Sequence, residues 1–322
     1  MEDKILNSLQ GIQKSVPLKN FTSYKIGGLA KYFFVAKSKN ELIAILKIVK
    51  KFELPIFILG GGSNILISDK GFNGLVIKMD IQDAQIQENK AFVGAGANLT
   101  KLAYLCADVG LSGLEWSAGM PGTVGGAIHG NAHAFDTKIS DTVNSVCAID
   151  LKNLEIKNFT KEQCQFSVKS SIFKNPPDGE KDLLIISAVL ELKVENIEKV
   201  KSKIKEFLEY RRAKHPMNFP SAGSVFVNPE VKIENKRILE KFPELYEYNK
   251  KGFIPAGYLI EKVGLVGRKK GNAQISEKHC NFIVNLGKAK AKDVLFLMKL
   301  AKKRVKKIFG INLEPEVQLV GF

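Results

Sequence analysis

Two glycine clusters constrain this chain most, because each demands a stretch of backbone that no side chain crowds. The first follows an apolar run in LPIFILGGGSN, residues 54–64. The run PIFIL is short, β-branched and aromatic, and Pro55 and Gly60 bound it, which predicts a strand rather than a helix. Gly60, Gly61 and Gly62 then let backbone N–H groups crowd around a ligand, since no Cβ blocks close approach, and Ser63 and Asn64 follow with polar side chains. Successive N–H groups in such a turn form a concave nest suited to phosphate. A tight turn without a ligand is the alternative.

The second cluster, SAGMPGTVGGAIHGN at 117–131, has Pro121 for a rigid turn and Gly119, Gly122, Gly125 and Gly126 for close backbone approach. Ser117, Thr123 and Asn131 add side-chain donors. Two phosphate-grade loops on one chain predict a long, bent cofactor with a diphosphate in its middle. Neither loop is a GxGxxG opening a Rossmann helix, and neither ends in the GK[ST] of a P-loop.

Around these loops the pattern alternates strands and helices. KYFFVA at 31–36 reads as a strand, and Ser38 and Glu41 have capping-box spacing at the head of a helix reaching about Phe52. With the PIFIL strand and another near Leu75 to Lys78 this makes a β-α-β unit. A helix near Asn98 to Val109, a strand near Val146 to Asp150 and a long strand at 183–192 follow; then NIEKVKSKIKEFLEYRRAK has the apolar spacing of one continuous helix. From about residue 207 short elements alternate with Gly and Pro. At 322 residues, two or three domains are expected.

The 45% hydrophobic and 25% charged residues describe a soluble globular protein. MEDKILNSLQ has acids where a secretory signal would carry an apolar core, and no apolar run approaches a membrane span, so a cytoplasmic protein is expected. Cys106, Cys147, Cys164 and Cys280 form no CxxC pair and read as buried thiols, and the scattered His129, His133 and His215 indicate no metal site. The net charge of +16 would concentrate acidic solutes. The densest basic run, KKRVKK at 302–307, shares a helix with Val294, Leu297, Met298, Ala301, Val305 and Ile308 at helical spacing. Its lysines therefore read as a solvated face, not a nucleic-acid surface.

An ordered series of motifs carries a resemblance: SYKIGG at 23–28, GGGSN at 60–64, GMPGTVGGAIHGNA at 119–132, PSAGSVFVNP at 220–229, AGYLIEKVGL at 256–265, SEKHCNFIVN at 276–285 and LEPEV at 313–317. Together they resemble the UDP-N-acetylenolpyruvoylglucosamine reductase family, over nearly the whole chain. The resemblance implies an α+β fold, with a two-part FAD-binding domain of the vanillyl-alcohol-oxidase (PCMH) type and a C-terminal α+β substrate-binding domain. The expected boundaries are 1–80 for the first FAD-binding part, joined by the C-terminal strand 313–322, then 81–206 for the second and 207–312 for substrate. The implied chemistry is that of a flavoenzyme of cell-wall synthesis: NADPH reduces FAD, which passes a hydride to the enolpyruvyl group of a UDP-sugar. The expected partners are that UDP-sugar and NADPH, with no nucleic acid, no membrane span and no metal, and the expected state is a monomer.

Hydride addition to the β-carbon of an enol ether builds negative charge on the α-carbon and its carboxylate, so a proton donor and a positive charge are needed. Ser224 in SAGS matches the family's proton-donating serine, and Glu316 in LEPEV its catalytic glutamate. From the residues alone, a turn serine and an exposed strand glutamate are the plain alternatives. Where the family has a Tyr-Arg pair, this chain has Val168 and Lys169 in FSVKSSIF. Lysine offers a flexible point charge in place of a planar fork, so the exchange is not conservative. Lys169 is expected to neutralise the enolate, with a solvated lysine as the alternative. Lys214 in RRAKHP matches a lysine that helps hold the diphosphate, and Asn228 and His279 match polar positions near the nucleotide, although His279 also reads as a core histidine. Tyr258 reads as packing. The chain has no room for the tyrosine-bearing loop of one family branch; its segment 231–253 is a candidate substitute lid or a surface insertion.

Overall fold

The computed structural model describes residues 2–176 and 183–322. They divide into two compact units, each with its own core. The first comprises 1–16, 30–61 and 73–211, and the second 17–29, 62–72 and 212–322.

In the first unit, Ser38 accepts the amide of Glu41 at 3.2 Å and starts the helix Lys39–Phe52, whose face of Leu42, Ile45, Leu46 and Ile48 is buried. Glu53, with φ +49, ends it. The strand Ile56–Leu59 pairs in parallel with Phe72–Met79, within a sheet ordered Gln13–Pro17, Leu29–Ala36, Phe72–Met79, Ile56–Leu59. A second, antiparallel sheet runs Ile156–Thr160, Val143–Asp150, Leu183–Glu191, Lys90–Gly94, Ala84–Gln87. Its long central strand buries Leu184, Ile185, Ile186, Ala188 and Leu190. The expected strand and helix positions hold. The short helix Val124–His129 inside the second glycine cluster is an addition to them; Thr123 caps it, accepting the amide of Gly126 at 3.3 Å.

The second unit wraps the helix Ala291–Phe309 with the strands Lys269–Lys270, Ala273–Ile275 and Ile283–Asn285. Val294, Leu297, Met298, Ala301 and Val305 are buried as the spacing requires. Ile308 is not: it is 38% exposed, and Phe309 takes the inward place, because the last turn ends one residue later at Gly310 in the left-handed conformation. Segments from early in the chain complete this unit. Tyr24 is fully buried and donates to the carbonyl of Ile283 at 2.7 Å, and Ile65–Ile67 pairs in parallel with Gln318–Val320. The 231–253 segment forms the helices Lys236–Lys241 and Leu245–Lys251 and sends Ile233, Leu239, Phe242 and Leu245 into the core.

All four cysteines are free; Cys106, Cys164 and Cys280 are buried and Cys147 partly so. No helix is long and apolar enough to cross a membrane, and no cluster of metal-ligating side chains occurs among the described residues.

Candidate active site

In the first unit the two glycine clusters meet. A Cβ built on Gly61 would stand 2.6 Å from Cα of Gly122, and one on Gly60 would stand 2.9 Å from Oγ1 of Thr123. Among the described residues, the N–H groups of Gly61, Gly119 and Gly122 donate to no backbone acceptor. The neighbouring amides are engaged: Met120 donates to Ser117, Val124 to Ala97 and Gly125 to Ala95. Gly125 faces the fold, since its Cβ would lie 2.8 Å from that of Ala95. Gly126 faces outward, is exposed, and would meet only Oγ1 of Thr123 at 3.4 Å. Ser117 is fully buried and donates its hydroxyl to Leu114 at 2.7 Å, whereas Pro121 is exposed.

Asn131 closes this cluster. It is 2% exposed at φ +42, and its Nδ2 donates to the carbonyl of Ser167 at 2.8 Å, while its Oδ1 is buried without a partner among the described residues. That bond clamps the turn Ser167–Ser170, whose ends exchange hydrogen bonds at 3.1 and 3.3 Å and whose corner holds Lys169 at φ +54. Left-handed backbone costs a lysine roughly 1–2 kcal/mol. Such strain persists where surrounding contacts impose it, as Asn131 does here, together with Ser171 donating to the carbonyl of His129 at 2.8 Å and Lys174 to that of Lys169 at 2.7 Å. Burial, with a smaller contribution from Lys174, pushes the His129 imidazole down to about 4, so it is neutral near pH 7.

In the second unit, two segments far apart in sequence lie side by side. The amide of Glu316 donates to the carbonyl of Val225 at 2.8 Å, and Phe226 bridges to Pro315, which brings SAGS against LEPEV. Ser224 is half-buried, and its hydroxyl makes no hydrogen bond among the described residues. Gly223 before it lies at φ +73, and a Cβ built there would meet nothing within 4 Å. Asn281, missed in the sequence, fixes this segment: its Oδ1 accepts the amide of Phe226 at 3.0 Å, and its Nδ2 donates to the Phe226 carbonyl at 2.8 Å. Gly62, Ser63 and Asn64 belong to this unit as well. Gly62 accepts the amide of Ser23 at 3.0 Å, and Nδ2 of Asn64 donates to the carbonyl of Glu316 at 3.1 Å.

The remaining candidates have local partners. Asn228 accepts through Oδ1, at 3.0 Å, the amide of Ala256, the first residue of the helix Ala256–Lys262. His279 accepts the amide of Asn281 through Nδ1 at 3.2 Å, so Nε2 carries the proton of the neutral ring; burial lowers its pKa, and His215 and Phe282 lie beside it. Lys214 is exposed at the end of Ile197–Lys214. Tyr258 packs edge-on against Tyr248 and donates to Glu244 at 3.2 Å.

Comparison with known proteins identifies the framework. Residues 30–155 match an FAD binding domain, and residues 215–320 match the C-terminal domain of UDP-N-acetylenolpyruvoylglucosamine reductase. The chain is 39% identical to the UDP-N-acetylenolpyruvoylglucosamine reductase of Caldicellulosiruptor bescii, covering 100% of this chain and 95% of that one. It belongs to that family. The reductase of Lachnoclostridium phytofermentans is 36% identical over 99% of this chain and 96% of its own. The crystal structure of the reductase from Thermus caldophilus superposes with a TM-score of 0.74 at 30% identity, covering 96% of this chain and 99% of that one.

As a member of the reductase family the chain is an FAD-dependent oxidoreductase, with the expected α+β architecture of an FAD-binding domain and a C-terminal domain. The residues present fit FAD. Among the described residues, Asn131 offers a buried acceptor with no protein partner, Gly61, Gly119 and Gly122 offer amides with no backbone acceptor, and Gly126 presents an exposed Cα that a side chain would cover.

Proposed function

We propose that this reductase takes hydride from NADPH and reduces the enolpyruvyl group of UDP-N-acetylglucosamine enolpyruvate to give UDP-N-acetylmuramate, a peptidoglycan precursor. The observation that carries the reading is the pairing of SAGS with LEPEV, which sets a serine hydroxyl with no hydrogen-bond partner among the described residues near a glutamate 92 positions away in sequence. FAD supplies the hydride-transfer chemistry when bound. In this reading the FAD-binding portions are 1–80 with 313–322, and 81–206, while 207–312 binds substrate.

Each residue then has a chemical task. Charge develops at the α-carbon of the enolpyruvyl group and in its carboxylate, and the Ser224 hydroxyl delivers the proton there. Glu316 orients the substrate at the same carbon. Lys169 neutralises the enolate; its ammonium lacks the bidentate geometry of a guanidinium, but the clamped turn restricts its backbone. Lys214, Asn228 and His279 contact the nucleotide end, with the Nε2–H of His279 as a donor.

The test is NADPH oxidation by purified protein with and without UDP-N-acetylglucosamine enolpyruvate. Substrate-dependent oxidation that falls at least about a thousandfold in Ser224→Ala is expected, in line with loss of a positioned proton donor. Unchanged turnover in Ser224→Ala would remove the serine from the chemistry; wild-type turnover in both Lys169→Arg and Lys169→Ala would do the same for the lysine.

A further inference from the structure

Each glycine loop of the first unit has a buried or half-buried cation behind it that makes no ion pair among the described residues. Behind the second loop lies Arg211, 6% exposed. The helix Ile197–Lys214 directs Val200, Ile204 and Leu208 inward, and one turn later the same stripe carries a guanidinium where an aliphatic side chain would continue the pattern. Its Nη2 donates to the carbonyl of Trp116 at 2.7 Å, and its Nε is buried with no acceptor among the described residues. Phe135 covers one face, with the guanidinium 5.1 Å from the ring centroid. Phe135 is itself at φ +53 and stacks on Phe207 at 4.1 Å, so the covering ring is held in place. The arginine stem passes the loop, where a Cβ on Gly119 would lie 3.5 Å from Arg211 Cδ.

Behind the first loop lies Lys78, on the strand Phe72–Met79. Its Nζ donates to the carbonyls of Gly60 at 2.9 Å and Met79 at 3.2 Å. Holding the Gly60 carbonyl points the N–H of the following residue, Gly61, the opposite way, because the two groups of a trans peptide are antiparallel. Neither Arg211 nor Lys78 makes an ion pair among the described residues, and burial lowers the pKa of both; the Asp80 carboxylate two residues on offsets part of this at Lys78, and nothing comparable acts on Arg211. An unpaired buried cation is costly, and the natural offset is a permanent anion. The diphosphate of FAD keeps its charge in both redox states, whereas the ring does not.

We propose that Arg211 and Lys78 together supply the positive charge that holds the diphosphate of FAD, Arg211 as a direct donor and Lys78 as a positioning residue that orients the Gly60–Gly61 peptide. The proposal rests on the flavoenzyme reading and goes beyond it in assigning these two side chains to the diphosphate. Apoprotein is titrated with FAD, and separately with riboflavin, which has no phosphate, and binding is followed by flavin fluorescence. Arg211→Met and Lys78→Met are each expected to weaken FAD binding by about ten- to a hundredfold, the range for a lost charge-assisted hydrogen bond, and to leave riboflavin binding as in the wild type. Inorganic pyrophosphate should compete with FAD on the wild-type apoprotein and less well on either variant.

Unchanged FAD affinity in both variants, or equal losses for FAD and riboflavin, overturns the proposal. So does a fall in the flavin midpoint potential of Arg211→Met at unchanged FAD affinity, which would assign the guanidinium to the ring. Should Arg211→Met not fold, Arg211→Lys, which keeps the charge, should retain pyrophosphate competition, and Lys78→Met decides the other half. A wild-type apoprotein that binds no FAD would instead overturn the flavoenzyme reading itself.

Discussion

Gly61 and Gly126 separate two uses of a bare backbone, and alanine at each position distinguishes them. At Gly61 the new methyl would stand 2.6 Å from Cα and 3.0 Å from the carbonyl carbon of Gly122. Both obstacles are backbone, and an ordinary carbon contact is roughly 3.6 Å, so the loops must part by about 1 Å. Such overpacking costs about 1–3 kcal/mol. Gly61→Ala should therefore lower the apoprotein's unfolding midpoint and weaken FAD binding together.

Gly126 lies inside the helix Val124–His129, and its methyl would meet only Oγ1 of Thr123, at 3.4 Å. Alanine in a helix interior gains about 0.5–1 kcal/mol over glycine, so the apoprotein should melt roughly 2 °C higher. FAD affinity should nevertheless fall about tenfold, because the methyl covers the surface the cofactor approaches. Differential scanning fluorimetry of apoprotein and a fluorescence titration with FAD read the two effects separately. A Gly126→Ala protein that is more stable and binds FAD as tightly as the wild type would refute the reasoning that this face seats the cofactor.

Three further outcomes follow from the same structure. Tyr24→Phe removes a fully buried hydroxyl bonded to Ile283 and should cost about 1–2 kcal/mol in a urea titration. His129 has a folded pKa of about 4 against an ordinary value near 6.5, so the native state binds fewer protons than the unfolded chain between those values. Its contribution is complete above about pH 6.5 and drains as pH falls toward 4, by at most ~3 kcal/mol, and His129→Gln should flatten that part of the urea-midpoint profile. Lys169→Gly relieves the backbone at φ +54 and should raise stability by about 1 kcal/mol while lowering substrate-dependent turnover, a combination that a purely structural lysine would not give.

Local rules made much of the fold legible. The helix Lys39–Phe52 announces itself through Ser38, Glu41 and its apolar spacing, and the strand after it through its β-branched run. The helix Val124–His129 gives no such signal, because two of its six residues are glycine; it forms through the Thr123 cap and the packing of Gly125 on Ala95. Arg211 was hidden by its setting in RRAKHP, which reads as a charged surface, although its spacing from Val200, Ile204 and Leu208 marks it as inward. The left-handed backbone of Lys169 and the clamp from Asn131 are tertiary, and no window of sequence around position 169 contains them. Ser224 and Glu316 stand out in the sequence only through the family resemblance, and only non-local pairing shows their segments side by side.

The parallel pairing of Ile65–Ile67 with Gln318–Val320 has a consequence for biosynthesis. The earlier strand leaves the ribosome some 250 residues before its partner exists, which at about 5–20 residues per second leaves it waiting for roughly 12–50 seconds. During translation its apolar edge is open to other nascent chains, so maturation of this enzyme should depend on holdase chaperones until the partner strand has been made.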